Sequence, residues 1–281
     1  MSSFTVKKIT SNGRLGTFSF DQPIQTPFLF PVAFLMTGTT ARGGATWKYI
    51  LQDQAPETKQ HTLMRRGSPV LSQVLHFLDY RVSPAGVQTW RNKSIKGLYN
   101  EQIDGLNYKA PLFLDSGGFK LMWRTGLDLS RYGISLEEGQ EAKSILKFQK
   151  DLGGDIVATL DYPIPPNLLP DEAKKRMNRS LKNALQTARL LREDEEFRDY
   201  NPFLYMAVHG LTPEAITDYV QKLFATINKE HLGDINFGLA IGSLVPLRKD
   251  LQKKAEMIGI IQAAISAIPE EYKYRAGLWR F

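Results

Sequence analysis

Apolar and polar positions follow two rhythms along these 281 residues. Short apolar runs bounded by turn residues read as buried strands, and longer stretches with apolar positions three and four apart read as helices. From residue 111 onward the two alternate. Leu112–Asp115 predicts a strand. Ser135 to Glu138 has the form of a capping box opening a helix to about Leu152, with Gly153 and Gly154 as its stop. Ile156 to Asp161 predicts the next strand, Asp171 to about Glu193 a long helix, and Phe203–Val208 a strand running into His209 and Gly210. Thr212-Pro213 caps a helix to about Ile227, Ile235–Ile241 is a further strand, Leu251–Ile268 a helix, and Tyr272–Leu278 begins one more strand. The first third is strand- and loop-rich, with Thr17–Phe20, Phe28–Phe30 and Val32–Leu35 set apart by Pro and Gly breakers.

Regular strand–helix order predicts a parallel sheet. Polar residues at successive strand ends favour a closed (β/α) barrel, with an open doubly wound sheet as the alternative. The length suits one large α/β domain across residues 1–281, and 42% hydrophobic residues is ordinary for a globular chain. No apolar run is long enough to span a membrane, and Met-Ser-Ser-Phe-Thr-Val-Lys-Lys carries no signal-peptide core, so the expected location is the cytoplasm with no membrane partner. The absence of cysteine excludes disulfides and cysteine-ligated metal in these residues, and His61, His76, His209 and His231 lack metal-ligand spacing. No metal and no cofactor are therefore expected. A net charge of +7 and a pI near 9.4 point to a polyanionic partner, nucleic acid first.

The chemistry gathers at the strand ends. Asp115 closes one apolar run and Asp161 closes another, an arrangement that grips a hydrogen-bonding ligand and moves protons. Either aspartate alone also has a plainer reading, as a cap on the helix that follows or a partner of a loop amide, and that reading is weaker for the two together. Gly117 and Gly118 let the chain turn tightly beside Asp115, so that a flat ligand can lie against it. His209 and Gly238 sit on later strands, and each has a purely structural reading as well. Lys175, Arg179 and Lys182 share one face of the long helix, either as a nucleic-acid surface or as a solvated face paired with acids. Lys143, Lys147 and Lys150 form a weaker stripe. Arg42 lies in the loop Thr37–Gly44, which has the glycines but not the G-K-[ST] of a phosphate-binding loop.

These elements together resemble the tRNA-guanine transglycosylase superfamily, and more closely its DNA-modifying branch, the 7-deazaguanine DNA transglycosylases of bacteria and phages. The likeness rests on Gly13-Arg14-Leu15-Gly16, on Thr26-Pro27-Phe28-Leu29-Phe30-Pro31-Val32, on Asp115-Ser116-Gly117-Gly118-Phe119, on Asp155 through Asp161 and Pro163, and on Phe237-Gly238-Leu239-Ala240-Ile241-Gly242. It implies a modified (β/α)8 barrel and a pentosyltransferase that replaces guanine in DNA with a 7-deazaguanine base. The same exchange on tRNA, and a non-catalytic nucleic-acid-binding subunit, are the alternatives. The resemblance makes Asp115 the proton carrier for the leaving and entering bases. Asp161 would accept two N–H bonds from the base's amidine edge, Gly238 would offer its amide to the exocyclic oxygen, Leu239 would lie beside the 7-substituent, and Phe119 would stack on the base. Ser116, Gly117, Gly118 and His209 complete the expected base site. His209 stands where the family has glutamine. The cysteine-rich zinc unit of the tRNA enzymes has no counterpart among these residues. The family's nucleophilic aspartate and last barrel strand are not found before Phe281, so a complementary chain or a second copy is the expected further partner.

Overall fold

The computed structural model describes residues 3–10, 13–32, 67–76, 83–102, 105–122, 128–165, 167–242, 244, 247, 251–273 and 277–280. Two sheets are built. The strands β1 (Ser3–Thr10), β2 (Gly13–Ser19) and β3 (Ile24–Gln25) form an antiparallel sheet. The strands β4 (Val70–Gln73), β5 (Leu112–Asp115), β6 (Ile156–Ala158), β7 (Phe203–Val208), β8 (Phe237–Ile241) and β9 (Gly277–Arg280) form a second sheet, all parallel and in sequence order. A single parallel bridge from Val32 to Leu71 continues that order by one step. A doubly wound sheet reverses its strand order at a switch point, and this one does not. The architecture is that of a (β/α) barrel, with six strands of the ring among the described residues.

Helices return the chain between strands: α1 (Pro84–Lys93), α2 (Ile95–Gln102), α3 (Glu141–Asp151), α4 (Pro170–Glu193), α5 (Pro213–Lys229) and α6 (Leu251–Ser266). Strand alternation sorts the core into layers. Val70, Leu112, Leu114, Val157, Leu204, Met206, Val208, Leu239 and Ile241 pack outward with residues of the helices. Leu71, Phe113, Ile156, Ala158, Phe203, Tyr205 and Ala240 point inward. The antiparallel sheet closes the lower end of this interior. Phe18 meets Phe203, the first residue of β7, edge to face at 4.9 Å, and Phe30 meets Phe113 at 5.6 Å. That plug leaves the carboxyl ends of the strands as the working face.

Several expected boundaries move. The apolar run from Ile156 leaves the strand at Ala158, three residues before Asp161. Thr159 takes over the pairing, its N–H donating to the Tyr205 carbonyl at 2.9 Å and its Oγ1 accepting from the Ala207 N–H at 3.0 Å. Ser135 caps no helix. Its Oγ accepts from the Glu137 N–H, Gly139 turns with φ +92°, and α3 begins only at Glu141. Residues 232–234 form a short 3₁₀ turn, so β8 starts at Phe237 rather than Ile235. Tyr272 lies in another such turn, packed on Phe224 and Phe237, and the last described strand starts at Gly277. Phe28–Phe30 is not a strand, and residues 33–35 lie outside the described residues.

Beyond the Leu114–Val157 pair, β5 and β6 part. Gln149 of α3, 1% exposed, bridges the gap: its Nε2 donates to the Leu114 and Ala158 carbonyls, each at 2.9 Å. Gln149→Leu removes both bonds across the gap, and the expected loss is about 1–3 kcal/mol of unfolding free energy. Urea denaturation measures it, and a change within about 0.5 kcal/mol, ordinary for a surface substitution, would show that the bridge does not hold the strands.

Candidate active site

The buried run of β5 delivers Asp115 to the inner face at the strand's carboxyl end, where it is 8% exposed. The Gly117 N–H donates to its Oδ2 at 3.1 Å. Gly117 sits at φ +79°, and a Cβ there would lie 2.9 Å from the Cβ of Leu75, so both the turn and the contact require glycine. The turn brings Gly118 onto Asp161. A Cβ on Gly118 would lie 2.0 Å from Asp161 Oδ1 and 2.4 Å from its carbonyl oxygen. The two glycines therefore do different work: the first bends the chain, and the second lets a carboxylate rest on it. Ser116 ties the strand ends together. Its Oγ donates to Asp161 Oδ1 at 3.4 Å and accepts the Gly118 N–H at 3.3 Å.

On its other side Asp161 meets His209. Nε2 of this fully buried histidine is 3.0 Å from Asp161 Oδ2, a close contact not aligned as a hydrogen bond. The ring is wedged in place. A Cβ on Gly242 would come within 2.4 Å of its Cε1, and the Tyr219 ring stands edge-on with centroids 6.4 Å apart. The loop that follows is pinned too, since a Cβ on Gly210 would lie 2.4 Å from the Ile216 nitrogen of α5.

Burial pushes the Asp115 carboxyl up from 3.8 to about 7, the Asp161 charge adds to the rise, and the Gly117 and Ser116 N–H groups oppose it. Such a carboxyl gives or takes a proton near neutral pH. Burial, with a smaller push from Asp161, holds the Tyr219 phenol well above its usual range, and its hydroxyl donates to the Ala207 carbonyl at 3.1 Å.

The structure thus brings Asp115, Ser116, Gly117, Gly118, Asp161 and His209 together. Phe119 follows in the 3₁₀ turn Gly118–Met122 and is 48% exposed. Gly238 lies on the inner face of β8, between Tyr205 and Gly277. Leu239 is fully buried in the outer, helix-facing layer, so its side chain points away from the interior and only its backbone remains for a ligand. Cavities of about 380 Å³ beneath the strand starts, beside Gly154 and Pro202, and about 630 Å³ along residues 128–144 both lie away from these carboxylates.

The basic helix face is largely spoken for. Arg179 donates to Glu141 Oε1 at 2.9 Å and to the Leu136 carbonyl at 2.7 Å, and its guanidinium covers the Tyr162 ring at 4.2 Å. Lys182 pairs with Glu138 at 2.8 Å, and Lys175 is exposed. Lys143 and Lys147 pair with acids at Asp194 and Glu196, and Lys150 donates to the Glu196 carbonyl. Arg42 lies outside the described residues. What the sequence reading missed is a buried polar stripe on α4, formed by Arg176, Ser180, Asn183 and Thr187. Its signal was present as polar residues three and four apart on the face that should be apolar.

Comparison with known proteins gives the family. The family model described as TGT, queuine tRNA-ribosyltransferase, matches residues 92–278, about two thirds of the chain. A queuine tRNA-ribosyltransferase of Vibrio cholerae is 25% identical over 279 residues, covering 95% of this chain and 62% of its own length. The protein of the same name from Vibrio campbellii is 25% identical over 280 residues (96% and 63%), and that from Vibrio atlanticus 26% over 284 (95% and 62%). The chain thus spans less than two thirds of the length of these relatives.

The paired carboxylates predict a specific pH response. Asp115 titrates at about 7 in the fold against an ordinary 3.8, so between those values the folded chain holds more protons than the unfolded one. Its contribution to stability is full below about pH 4 and is lost as pH rises through 7. Asp115→Asn should remove that slope from a series of thermal melts. Asp161→Asn should lower the Asp115 titration midpoint without bringing it to the ordinary value, because burial is the larger cause. Carboxyl ¹³C NMR reads both, and an unmoved midpoint would show that the two carboxylates do not interact.

Proposed function

The chain belongs to the queuine tRNA-ribosyltransferase family, and on that premise we propose that its Asp115–Asp161 site binds a guanine-type base and serves the exchange of that base at C1′ of a nucleotide. The observation that carries this is the pair itself: one carboxyl poised near neutrality beside a second carboxylate fixed by Ser116, Gly118 and His209. Asp161 presents two oxygens to the N–H edge of the base, where a carboxylate accepts two parallel bonds. Asp115 carries the proton that the departing base gains and the entering base loses. Phe119 stacks on the base, which must leave its own stack to enter. The Gly238 backbone meets the exocyclic oxygen from the inner face of β8. His209, in place of a glutamine, contributes an imidazole beside Asp161. Attack on the sugar requires a nucleophile opposite the leaving base, and no described carboxylate is given that part.

The polymer we propose is tRNA, the substrate in the relatives' names. The second reading is DNA with a 7-deazaguanine as the incoming base. It is supported by the likeness of the Thr26–Val32 and Asp115–Phe119 elements to the DNA-modifying branch. The net charge of +7 suits either polyanion, although Arg179 and Lys182 are tied to acids and Lys175 alone of the three stands exposed without an ion pair among the described residues.

Calorimetry with free guanine and with a 7-deazaguanine tests the base site. Asp161→Asn turns one acceptor into a donor facing the base N–H edge, and affinity should fall about tenfold or more, the equivalent of about 1–3 kcal/mol. Equal affinity in both proteins would remove Asp161 from the base site. Labelled guanine supplied with tRNA, duplex DNA and single-stranded DNA at one salt concentration separates the polymers: retention on tRNA alone supports the first reading, and retention on DNA alone overturns it in favour of the second.

A further inference from the structure

Asp161 is not held by its strand. β6 stops at Ala158, and the segment carrying Asp161 is fastened instead to α4. The Asn183 Nδ2 donates to the Leu160 carbonyl at 3.3 Å. The Ser180 Oγ accepts the Tyr162 N–H at 2.9 Å and donates to the Arg176 carbonyl at 2.9 Å. The Arg176 Nη1 donates to the Pro163 carbonyl at 2.9 Å. Arg176, Ser180 and Asn183 are all buried, and they lie four and three residues apart on one helix face.

The geometry of these contacts is selective. The Leu160 carbonyl belongs to the peptide plane before Asp161, and the Tyr162 N–H belongs to the plane after it. Those two planes are the ones that φ and ψ of Asp161 rotate. Holding both fixes the Cα–Cβ direction of Asp161, and with it the direction in which the carboxylate leaves the backbone. Gly118 then sets how far the carboxylate extends, and Arg179 covers the neighbouring Tyr162 ring. We propose that Ser180 and Asn183 are positioning residues for base recognition, acting through the two peptide planes that flank Asp161. The inference rests on the base-binding reading above.

The test uses the full chain, free guanine as the probe and four substitutions beside Asp161→Asn. Ser180→Ala and Asn183→Leu each release one plane. Ser180→Thr keeps the hydroxyl. Thr187→Val removes a buried hydroxyl of the same stripe whose only described hydrogen bond is to the Asn183 carbonyl within the helix, away from both planes. Affinity by calorimetry and melting temperature are measured for each, with the Asp115 titration followed by carboxyl ¹³C NMR. Ser180→Ala and Asn183→Leu should lower guanine affinity about tenfold each, roughly what one lost hydrogen bond of about 1.4 kcal/mol would give, and should move the Asp115 midpoint as Asp161 turns. Ser180→Thr should bind as the wild type does. Thr187→Val should lose melting temperature and keep its affinity. If Asp161→Asn binds guanine as tightly as the wild type, the base-site reading fails. If Asp161→Asn loses binding while Ser180→Ala and Asn183→Leu keep it, the positioning role alone is overturned. Equal affinity losses in Thr187→Val would also overturn it, by reducing the effect to general destabilisation.

Discussion

Two carboxylates placed side by side at the carboxyl ends of neighbouring strands repel each other, and the mouth of this sheet is arranged around that repulsion. Water would screen the pair, but Asp115 is 8% exposed. Burial and the Asp161 charge together move it to about 7. The neighbouring groups answer the cost in kind. Backbone N–H groups of Ser116 and Gly117 face Asp115, while the Ser116 hydroxyl and the His209 ring face Asp161. None of these groups is a full positive charge from lysine or arginine. A lysine or arginine beside the pair would hold both carboxylates as anions, whereas the Ser116 and Gly117 N–H dipoles leave Asp115 free to change its proton.

That balance depends on where the strands end. β5 and β6 separate just past Leu114 and Val157, and a side-chain amide from α3 fills the space that a further pair of ladder bonds would occupy. Asp115 stays on its strand and inherits the precision of the sheet. Asp161 leaves its strand and takes its position from α4. A sheet can place one carboxylate at this corner unaided, because inward positions on neighbouring strands are separated by the strand spacing. Bringing a second into contact with the Gly118 turn takes a loop, and a loop has to be held by something else.

Much of this was legible in the residues, and the exceptions share a cause. Leu112–Asp115 and Phe203–Val208 were readable as strands because fully buried strands are short apolar runs, and α5 because Thr212 and Pro213 mark its start with local chemistry. Asp161 was assigned to a strand end because the apolar run continues through Leu160. Nothing local shows that Thr159 replaces a ladder bond with its hydroxyl. Ser135 and Glu138 satisfied the spacing of a capping box, but the turn at Gly139 came between them and the helix. The basic face of α4 looked available for phosphate because its partners, Glu138 and Glu141, lie some forty residues earlier in the chain. Periodicity reads neighbours along the chain, and each of these features is decided by neighbours across it.

α4 therefore has two roles that a charge count cannot separate. Through Arg179 and Lys182 it is joined to the start of α3, a buried acid at Glu141 and an exposed pair at Glu138. The exposed pair contributes little to stability. The Glu141 pair matters more, because a fully buried carboxylate left without its cation is costly. Through Arg176, Ser180 and Asn183 the same helix holds the segment around Asp161. The two sets of contacts lie on one rigid rod, so a shift of α4 along α3 carries Asp161 with it. The sheet places Asp115, and the packing of α3 and α4 bears on where Asp161 lies. The distance between the two is consequently a property of how helix and sheet pack, not of either strand, and a change at the α3–α4 contact that moves Asp161 also changes the charge that Asp115 feels.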